Sequence, residues 1–277
     1  MSSVIEVKNL THFYGDKKIY DGLNLSIKKG SFYGILGKNG VGKSTLINIL
    51  MGYLKPKNGE CLIEGEPSHS LSSTLKQKIA LLHEGFVAYD FMSIREYEEF
   101  LKPFYPKWKS HIFYELVDLM KLDYKQKIST LSFGQKSQVV LGAIFAQDAE
   151  ILILDDYSMG LDAGYRKLFI EYLKEYVQGV DKTVLITSHI MSDLEGLIDD
   201  IAIVQKGGYV YQDSLERFIE SFRCYECVKE QNLDEINYHR LEPHKDKILI
   251  YTFEKMDGFK ELSCSFEDKF LGYVGKY

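Results

Sequence analysis

The stretch GKNGVGKST at residues 37–45 decides how the rest of this sequence is interpreted. It matches the pattern G-x-x-x-x-G-K-[ST], in which glycines let backbone N–H groups curl closely around an anion. An apolar segment, 32–36, precedes the stretch, and a segment with a helical pattern, 46–51, follows it. A strand, a glycine-rich turn and a helix start together aim a row of N–H groups at a phosphate. The stretch therefore predicts a phosphate-binding loop, or P-loop, that binds a nucleoside triphosphate.

The composition is that of an ordinary globular protein. The 277 residues are 45% hydrophobic and 27% charged, with a net charge of -6. This acidic balance disfavours broad nucleic-acid binding, which requires a basic surface, and we expect no nucleic-acid partner. No stretch contains the roughly 18 apolar residues that a membrane span needs, and the N-terminus does not resemble a signal peptide.

Apolar strand patterns alternate with helical patterns after the first 36 residues, which are themselves rich in β-strand patterns. Such alternation predicts a parallel sheet covered by helices. We expect a nucleotide-binding domain at residues 1–218, with a helical subdomain inserted at about 86–148, and a small appendage at 219–277. Helices are predicted over Ala163–Val177, Met191–Leu197 and Met256–Leu262.

Two adjacent carboxylates, Asp155 and Asp156, follow the apolar strand pattern of residues 151–154. In P-loop ATPases the carboxylate that ends such a strand holds Mg²⁺, and a neighbouring one can orient or deprotonate the attacking water. Ser44 would supply a further oxygen to Mg²⁺, while Lys43 would reach the β- and γ-phosphates. The two acids and the P-loop therefore predict a site for a nucleoside triphosphate and Mg²⁺.

Three further motifs occur in a familiar order: LSFGQ at 131–135, ILILDDYSMGLD at 151–162 and TSH at 187–189. With the P-loop, they resemble the ATP-binding (nucleotide-binding) subunit of ABC transporters over about residues 4–215. LSFGQ is similar to the family's LSGGQ signature, which other P-loop classes do not carry. The resemblance implies an α/β P-loop NTPase fold with a parallel core sheet, an antiparallel β subdomain and an inserted helical subdomain. Beyond it, a small C-terminal α+β appendage is expected.

The resemblance also implies a role for each matching residue. Tyr14 would stack on adenine and His189 would contact the γ-phosphate. Each residue alone is more typical of a packing or surface position, and the other motifs reverse that preference. In the family's head-to-tail dimer, the signature closes over ATP bound to the opposite subunit. The implied nucleotide and dimer contacts are Tyr14, Gly37, Asn39, Gly40, Gly42, Lys43, Ser44, Thr45, Ser132, Gly134, Gln135 and Asp162; the implied Mg²⁺ ligands are Ser44, Asp155 and Glu84; the implied catalytic residues are Asp156, His189 and Glu84.

The chain departs from the family pattern at two of these positions. Asp156 stands where the family usually has a glutamate, so its carboxylate is shorter by one C–C bond, roughly 1.5 Å. Misplacement on that scale can cost about a hundredfold in rate, and we expect slow hydrolysis. Glu84 stands where the family usually has a glutamine. Because it adds negative charge to an acidic site, we expect a steeper Mg²⁺ requirement.

The family implies a separate transmembrane permease subunit and a homodimer or heterodimer of ATP-binding subunits, at the cytoplasmic face of the membrane. The sequence after LSFGQ lacks the arginine typical of importers, which favours an exporter of peptide, drug or antibiotic-like cargo. A set of aromatic and apolar residues either receives a partner helix or packs inside the helical subdomain, and the sequence leaves both open. This set is Phe86, Tyr89, Phe91, Met92, Phe104, Tyr105 and Trp108.

Two other functions compete with transport. One is a soluble ABC ATPase acting on ribosomes or DNA, but such relatives resemble tandem cassettes or carry long coiled coils, which are not seen here. The other is a weakly hydrolysing, ATP-dependent dimerisation switch, which the shorter carboxylate of Asp156 keeps open.

Overall fold

The fold is built from three β-sheets and the helices between and around them. The computed structural model describes residues 3–85, 89–158, 161–188, 190–228, 238–244 and 247–275. The strands are β1 (Ser3–Tyr14), β2 (Lys17–Lys28), β3 (Phe32–Leu36), β4 (Asn58–Ile63), β5 (Glu66–Pro67), β6 (Ile79–Leu82), β7 (Ile151–Leu154), β8 (Thr183–Ser188), β9 (Asp200–Val204), β10 (Val210–Ser214), β11 (Arg223–Val228), β12 (Arg240–His244), β13 (Lys247–Thr252) and β14 (Lys260–Leu262). The helices are α1 (Lys43–Leu50), α2 (Ser73–Lys76), α3 (Ile94–Leu101), α4 (Ser110–Leu119), α5 (Phe133–Ala146), α6 (Ala163–Val177), α7 (Leu215–Ser221) and α8 (Phe266–Val274).

The central sheet has the strand order β10-β9-β3-β8-β7-β6. All neighbouring pairs are parallel except β9 and β10, which are antiparallel. Strands β3, β7 and β8 are buried along their whole length, as expected for strands covered on both faces. Their carboxyl ends meet at one edge of the sheet, which is where ligands bind in open α/β sheets.

An antiparallel sheet with the order β2-β1-β4-β5 lies beside the central sheet. Its apolar residues share one core with α1 and with one face of the central sheet. The predicted antiparallel β region is therefore confirmed, and it packs against the helix that follows the P-loop.

Helices α3, α4 and α5 form the helical subdomain around a separate apolar cluster that includes Tyr97, Phe113 and Val139. Ser93 caps α3 and Ser132 caps α5, each through a complete capping box. Helix α3 ends at Leu101, just before Pro103, which cannot continue a helix interior.

The C-terminal region is a four-stranded antiparallel sheet, β12-β13-β11-β14, together with α8. This confirms the α+β architecture expected there. Its aromatic residues Phe222, Tyr251 and Phe266 belong to the same apolar cluster as residues of β7, β8 and β9. The predicted boundary between residues 218 and 219 lies inside α7, and the hydrophobic core continues across it.

Two predicted helices are wrong. Met191–Leu197 forms consecutive turns, and Gly196 has a φ of 74°, outside the helical range. Met256–Leu262 contains a turn at Gly258, with φ 85°, and then strand β14, which pairs with β11. Helix α6, in contrast, has the predicted bounds. Within the part of the chain that the structure describes, no helix combines the length and apolarity required to cross a bilayer.

Candidate nucleotide-binding site

The P-loop, the start of α1 and the β1–β2 turn surround an open cavity of about 400 Å³. The volume lies within the range of about 300–1,000 Å³ that is usual for small-molecule sites. The residues that line it are Tyr14, Lys17, Ile19, Asn39, Gly40, Gly42, Lys43, Ser44, Thr45, Glu84 and Asp156. Nearly all the predicted P-loop contacts are therefore assembled in one cavity, together with the two acids at positions 84 and 156.

Gly42, the last of the three glycines in the P-loop, occupies a position where no other residue fits. Its φ is 121°, and an added Cβ would lie 2.6 Å from Cγ2 of Ile19 and 3.1 Å from the hydroxyl of Tyr20. That hydroxyl donates a 2.9 Å hydrogen bond to the carbonyl of Gly42. Buried Tyr20 therefore fixes the loop from behind and leaves no room for a side chain.

Lys43 is buried, with 7% of its surface exposed, and its ammonium group donates to the carbonyls of Gly37 at 2.7 Å and Lys38 at 3.0 Å. Burial lowers the pKa of Lys43, while the nearby carboxylates of Asp156, Asp155 and Glu84 act in the opposite direction. These acids keep a cation at the loop, where it can meet phosphate oxygens.

Ser44, Glu84 and Asp155 bring three oxygen ligands together below the loop. The Ser44 hydroxyl lies 2.9 Å from Oε2 of Glu84 and 3.3 Å from Oδ1 of Asp155. The second oxygen of Asp155, Oδ2, is buried without a hydrogen-bond partner in the described part of the chain. Mg²⁺ is usually held by one or two carboxylates, a hydroxyl and substrate phosphates, so this arrangement fits the ion.

Thr187 connects the two adjacent acids. Its hydroxyl donates to Oδ1 of Asp155 at 2.7 Å and accepts a 2.9 Å hydrogen bond from the backbone N–H of Asp156. Burial raises the pKa of Asp155, although the hydrogen bonds from Thr187 and Ser44 lower it. The sequence marks Thr187 only through its place in the TSH motif, which does not by itself indicate a site residue.

Asp156 has a φ of 44°, which is uncommon for a residue other than glycine. Its Oδ1 accepts a 2.9 Å hydrogen bond from the hydroxyl of Ser158. Its carboxylate is thus held at the cavity wall by a buried neighbour. Strained backbone of this kind often occurs at functional sites, where surrounding contacts maintain it.

Tyr14 lies at the rim of the cavity and is 49% exposed. The ring of His12 packs edge-on against it, with centroids 4.9 Å apart and an interplanar angle of 83°. Tyr14 therefore presents an accessible aromatic ring beside the phosphate loop. His189 lies outside the described residues. Lys17 and Ile19 also line the cavity, and sequence reasoning did not identify them.

The signature residues do not line this cavity. Ser132 is exposed at the start of α5, where its hydroxyl accepts from the backbone N–H of Gln135 at 3.3 Å. Gly134 lies against the ring of Tyr165, because an added Cβ would be 2.5 Å from it. Asp162 caps α6 by accepting from the N–H of Tyr165 at 3.0 Å. The signature and the segment at Asp162 are thus adjacent to each other and separate from the P-loop cavity.

The fold and this site define a P-loop protein that binds a nucleoside triphosphate. The sequence model of the ABC transporter family matches residues 20–158. The chain therefore belongs to the ABC transporter family, as an ATP-binding subunit.

Several ATP-binding proteins of ABC transporters and related exporters are similar to this chain in sequence. The bacitracin transport ATP-binding protein BcrA of Bacillus licheniformis is 28% identical over 270 residues, covering 91% of this chain and 86% of BcrA. The Nod factor export ATP-binding protein I of Burkholderia orbicola is 30% identical over 222 residues, covering 78% and 73%. The linearmycin resistance ATP-binding protein LnrL of Bacillus subtilis is 31% identical over 210 residues, covering 74% and 67%.

Solved structures share the fold. The ATP-binding subunit of an ABC transporter superposes with a TM-score of 0.69 at 22% identity, covering 79% of this chain and 92% of that one. A dimeric, post-hydrolysis ATP-binding cassette bound to ADP and Pi gives a TM-score of 0.65 at 24% identity, covering 76% and 98%. The predicted fold class is confirmed.

Proposed function

We propose that this chain binds and hydrolyses ATP and so energises a separate transmembrane permease, in an exporter of peptide, drug or antibiotic-like cargo. The observation that supports this most directly is the convergence of Ser44, Glu84 and Asp155 below the P-loop, with Asp156 beside them. Among the names of the relatives, Nod factor export supports the direction of transport, while bacitracin transport and linearmycin resistance support antibiotic-like cargo. They favour transport over a soluble ABC ATPase.

In the proposed reaction, the backbone N–H groups of the P-loop and the ammonium group of Lys43 bind the phosphates. Ser44, Asp155 and Glu84 would hold Mg²⁺, which supplies charge neutralisation at the β- and γ-phosphates. The carboxylate of Asp156 orients the attacking water and accepts its proton, and His189 contacts the γ-phosphate. Tyr14 stacks on adenine and fixes the orientation of the base.

Two copies of this chain, or this chain and a second ATP-binding subunit, form the active dimer in this proposal. Ser132, Gly134 and Gln135 then face ATP bound to the opposite subunit, with Asp162 beside them. The exposed position of Ser132 at the start of a 14-residue helix supports this role, because helix N-termini favour anions. The family supports dimerisation through the dimeric cassettes of similar fold.

The permease would dock on the aromatic surface of the helical subdomain, at the cytoplasmic face of the membrane. Phe91 and Phe104 are 72% and 56% exposed, and Tyr89 and Phe100 connect them through ring contacts of 5–7 Å, a usual range for aromatic pairs. Trp108 and Met92, in contrast, pack against the subdomain core. We therefore propose that the exposed members of the aromatic set receive the partner helix, while Trp108 and Met92 belong to the subdomain core. Phe86 lies outside the described residues.

Co-purification tests the transport assignment. We expect a tagged form of the chain, purified from detergent-solubilised membranes of its native cell, to carry a polytopic membrane protein with it. Recovery of ribosomes or DNA in place of a membrane protein would contradict the assignment and favour a soluble ABC ATPase.

ATP turnover tests the catalytic assignment. We expect Asp156→Asn to abolish hydrolysis while leaving ATP binding intact, because the amide cannot accept the proton of the water. Asp156→Glu should raise turnover, by up to about a hundredfold, because the longer side chain restores the usual reach. Equal turnover in the wild type and in Asp156→Asn would show that this residue is not catalytic. If the wild type does not hydrolyse ATP but dimerises with it, the ATP-dependent switch is the better description.

A further inference from the structure

The turn between β1 and β2, which we call the hairpin tip and define as residues 14–17, forms one side of the P-loop cavity. Tyr14 and Lys17 are opposite each other in the antiparallel register of the two strands, and both line the cavity. Among the described residues that line it, Lys17 and Lys43 are the two cations. The hairpin tip therefore brings a positive charge to the cavity as well as an aromatic ring.

The alternation of side chains along β2 directs Lys17 toward the P-loop and Lys18 away from it. Side chains two residues apart on a strand share a face, and the residue between them points to the other face. Lys17 and Ile19 line the cavity, whereas Lys18 does not. The ammonium group of Lys18 instead pairs with a carboxylate oxygen of Asp21 at 2.6 Å. Two adjacent lysines thus have different environments, and the first of them faces the site.

The ammonium group of Lys17 lies next to the P-loop backbone. Its Nζ donates to the carbonyl of Gly40 at 3.4 Å, and the side chain is exposed. An ammonium group has three N–H donors, so this long contact leaves donors for a further acceptor. The loop is open at this point, because a Cβ added to Gly40 would meet no atom of the described residues within 4 Å. A ligand on the loop can therefore reach Lys17.

The strand that carries Lys17 is fixed to the P-loop before any ligand binds. Tyr20, three residues further along β2, is fully buried, and its hydroxyl donates to the carbonyl of Gly42 at 2.9 Å. With the contact from Lys17 to Gly40, β2 is joined to two of the three loop glycines. The backbone of Lys17 therefore has a defined place beside the loop, and only its flexible side chain has to adjust.

The charge of the cavity favours a second cation at the loop. The acids Glu84 and Asp156 line the same cavity and act on Lys43, so they offset much of its single positive charge. The phosphates of a nucleotide bring further negative charge to the site. A lysine at the rim reduces the resulting repulsion without restricting the orientation of the ligand, because its ammonium group is a point charge on a flexible stem.

We propose that Lys17 contacts the phosphate chain of the bound nucleotide, from the side of the loop opposite to the carbonyls that hold Lys43. Lys43 donates to carbonyls at the start of the P-loop, and Lys17 donates to that of Gly40 further along. The inference rests on the proposed function, because it uses the ATP-binding mode given there. Tyr14 then binds the base and Lys17 the phosphates, so the hairpin tip contacts both ends of the nucleotide.

Binding of two ligands tests this role: ATP, and tripolyphosphate, which has no base. Both are titrated with Mg²⁺ at low ionic strength, where exposed charges are least screened. We expect Lys17→Gln to weaken both ligands by about three- to tenfold, as for loss of a charged contact at an exposed position. Tyr14→Ala should weaken ATP far more than tripolyphosphate. Lys17→Arg keeps the charge and should stay within about twofold of the wild type.

Lys18→Gln is the matched control, because it removes the same charge from the neighbouring position on the other face of β2. Equal affinities of the wild type and Lys17→Gln for ATP would overturn the inference. An equal loss in Lys18→Gln would also overturn it, by showing a general charge effect. The same holds if Lys17→Gln weakens ATP but not tripolyphosphate, or if tripolyphosphate at millimolar concentration does not compete with ATP.

The titrations separate this inference from the proposed function. A wild type that binds ATP as tightly as Lys17→Gln does would remove the role of Lys17 and leave the proposed ATPase intact. A wild type that binds no ATP in the presence of Mg²⁺ would overturn both. Since Lys17 is exposed, its substitution tests binding in a chain whose core is unchanged.

Discussion

The P-loop and the signature helix differ in how much of a binding site each provides within one chain. The P-loop lines a cavity in which Lys43, Ser44 and Asp156 meet. Ser132, at the start of α5, is exposed and lines no part of that cavity. Both regions present helix N-termini suited to phosphate, but only one of them is assembled with the other groups that such chemistry requires. In the proposed dimer, the P-loop of one chain would therefore form the ATP cradle, and the signature of a second subunit would close it.

Of the variants that test this difference between the two regions, Ser132→Ala is expected to have the largest effect. We expect Ser132→Ala to lower ATP hydrolysis by about a hundredfold, as when one donor to developing charge is lost, while ATP affinity changes less than about twofold. Ser93→Ala is the matched control, because it removes the same kind of capping box from α3 and costs a similar free energy of unfolding, about 1 kcal/mol. Steady-state turnover and equilibrium ATP binding are measured for both variants. Wild-type turnover in Ser132→Ala would show that the serine of the signature takes no part in hydrolysis.

A smaller effect is expected in the P-loop region, at Glu84. Its carboxylate adjoins Ser44 and lies in a site with two other acids, so ATP phosphates are repelled unless Mg²⁺ is present. We expect Glu84→Gln to reduce the ratio of ATP affinities with and without Mg²⁺ by about tenfold. Glu220→Gln, on an exposed face of α7, serves as the control. An unchanged ratio in Glu84→Gln would contradict the expected steep Mg²⁺ requirement.

The smallest effect concerns the stability of the nucleotide-free chain. Burial raises the pKa of Asp155, so the folded chain takes up this proton at a higher pH than the unfolded chain does. The ionised group therefore costs free energy of folding at neutral pH, and that cost disappears as pH falls through the raised pKa. We expect Asp155→Asn to raise the Tm at pH 7 by about 2–4 °C, or about 1 kcal/mol, with a smaller gain in acid.

Thermal unfolding without magnesium measures this effect, and Asp181→Asn is the control because the Asp181 side chain is 69% exposed. A lower Tm for Asp155→Asn at pH 7 would show that the hydrogen bonds from Thr187 and Ser44 outweigh the burial of the charge. In that case the acid contributes to the fold as well as to the site.

The parts of the molecule that the sequence predicts well are those determined by local chemistry. The P-loop glycines and the apolar strand before Asp155 each depend on a few consecutive residues. The hydrogen bonds of Thr187 reach Asp155 and Asp156, which precede it in the sequence by 32 and 31 residues. Only the pairing of β7 with β8 brings these residues together. Local patterns do not contain that information.

One of the two wrong helices, over residues 256–262, shows how tertiary structure overrides a local pattern. Residues 256–262 show a helix-like spacing of apolar side chains, but β14 adds to the edge of β11 and satisfies its backbone there. Tertiary pairing therefore overrides a weak local preference.

The aromatic core that crosses α7 has a consequence for how this protein is made. Rings from residues 222, 251 and 266 fill the same interior as strands β7–β9, so that interior has no complete packing until those residues have emerged from the ribosome. Synthesis proceeds at about 5–20 residues per second. The core of residues 1–218 therefore stays incompletely packed for several seconds, until the aromatic residues at 222, 251 and 266 have been made. Removing residues 219–277 to obtain a smaller ATPase would leave this interior open to solvent and favour aggregation.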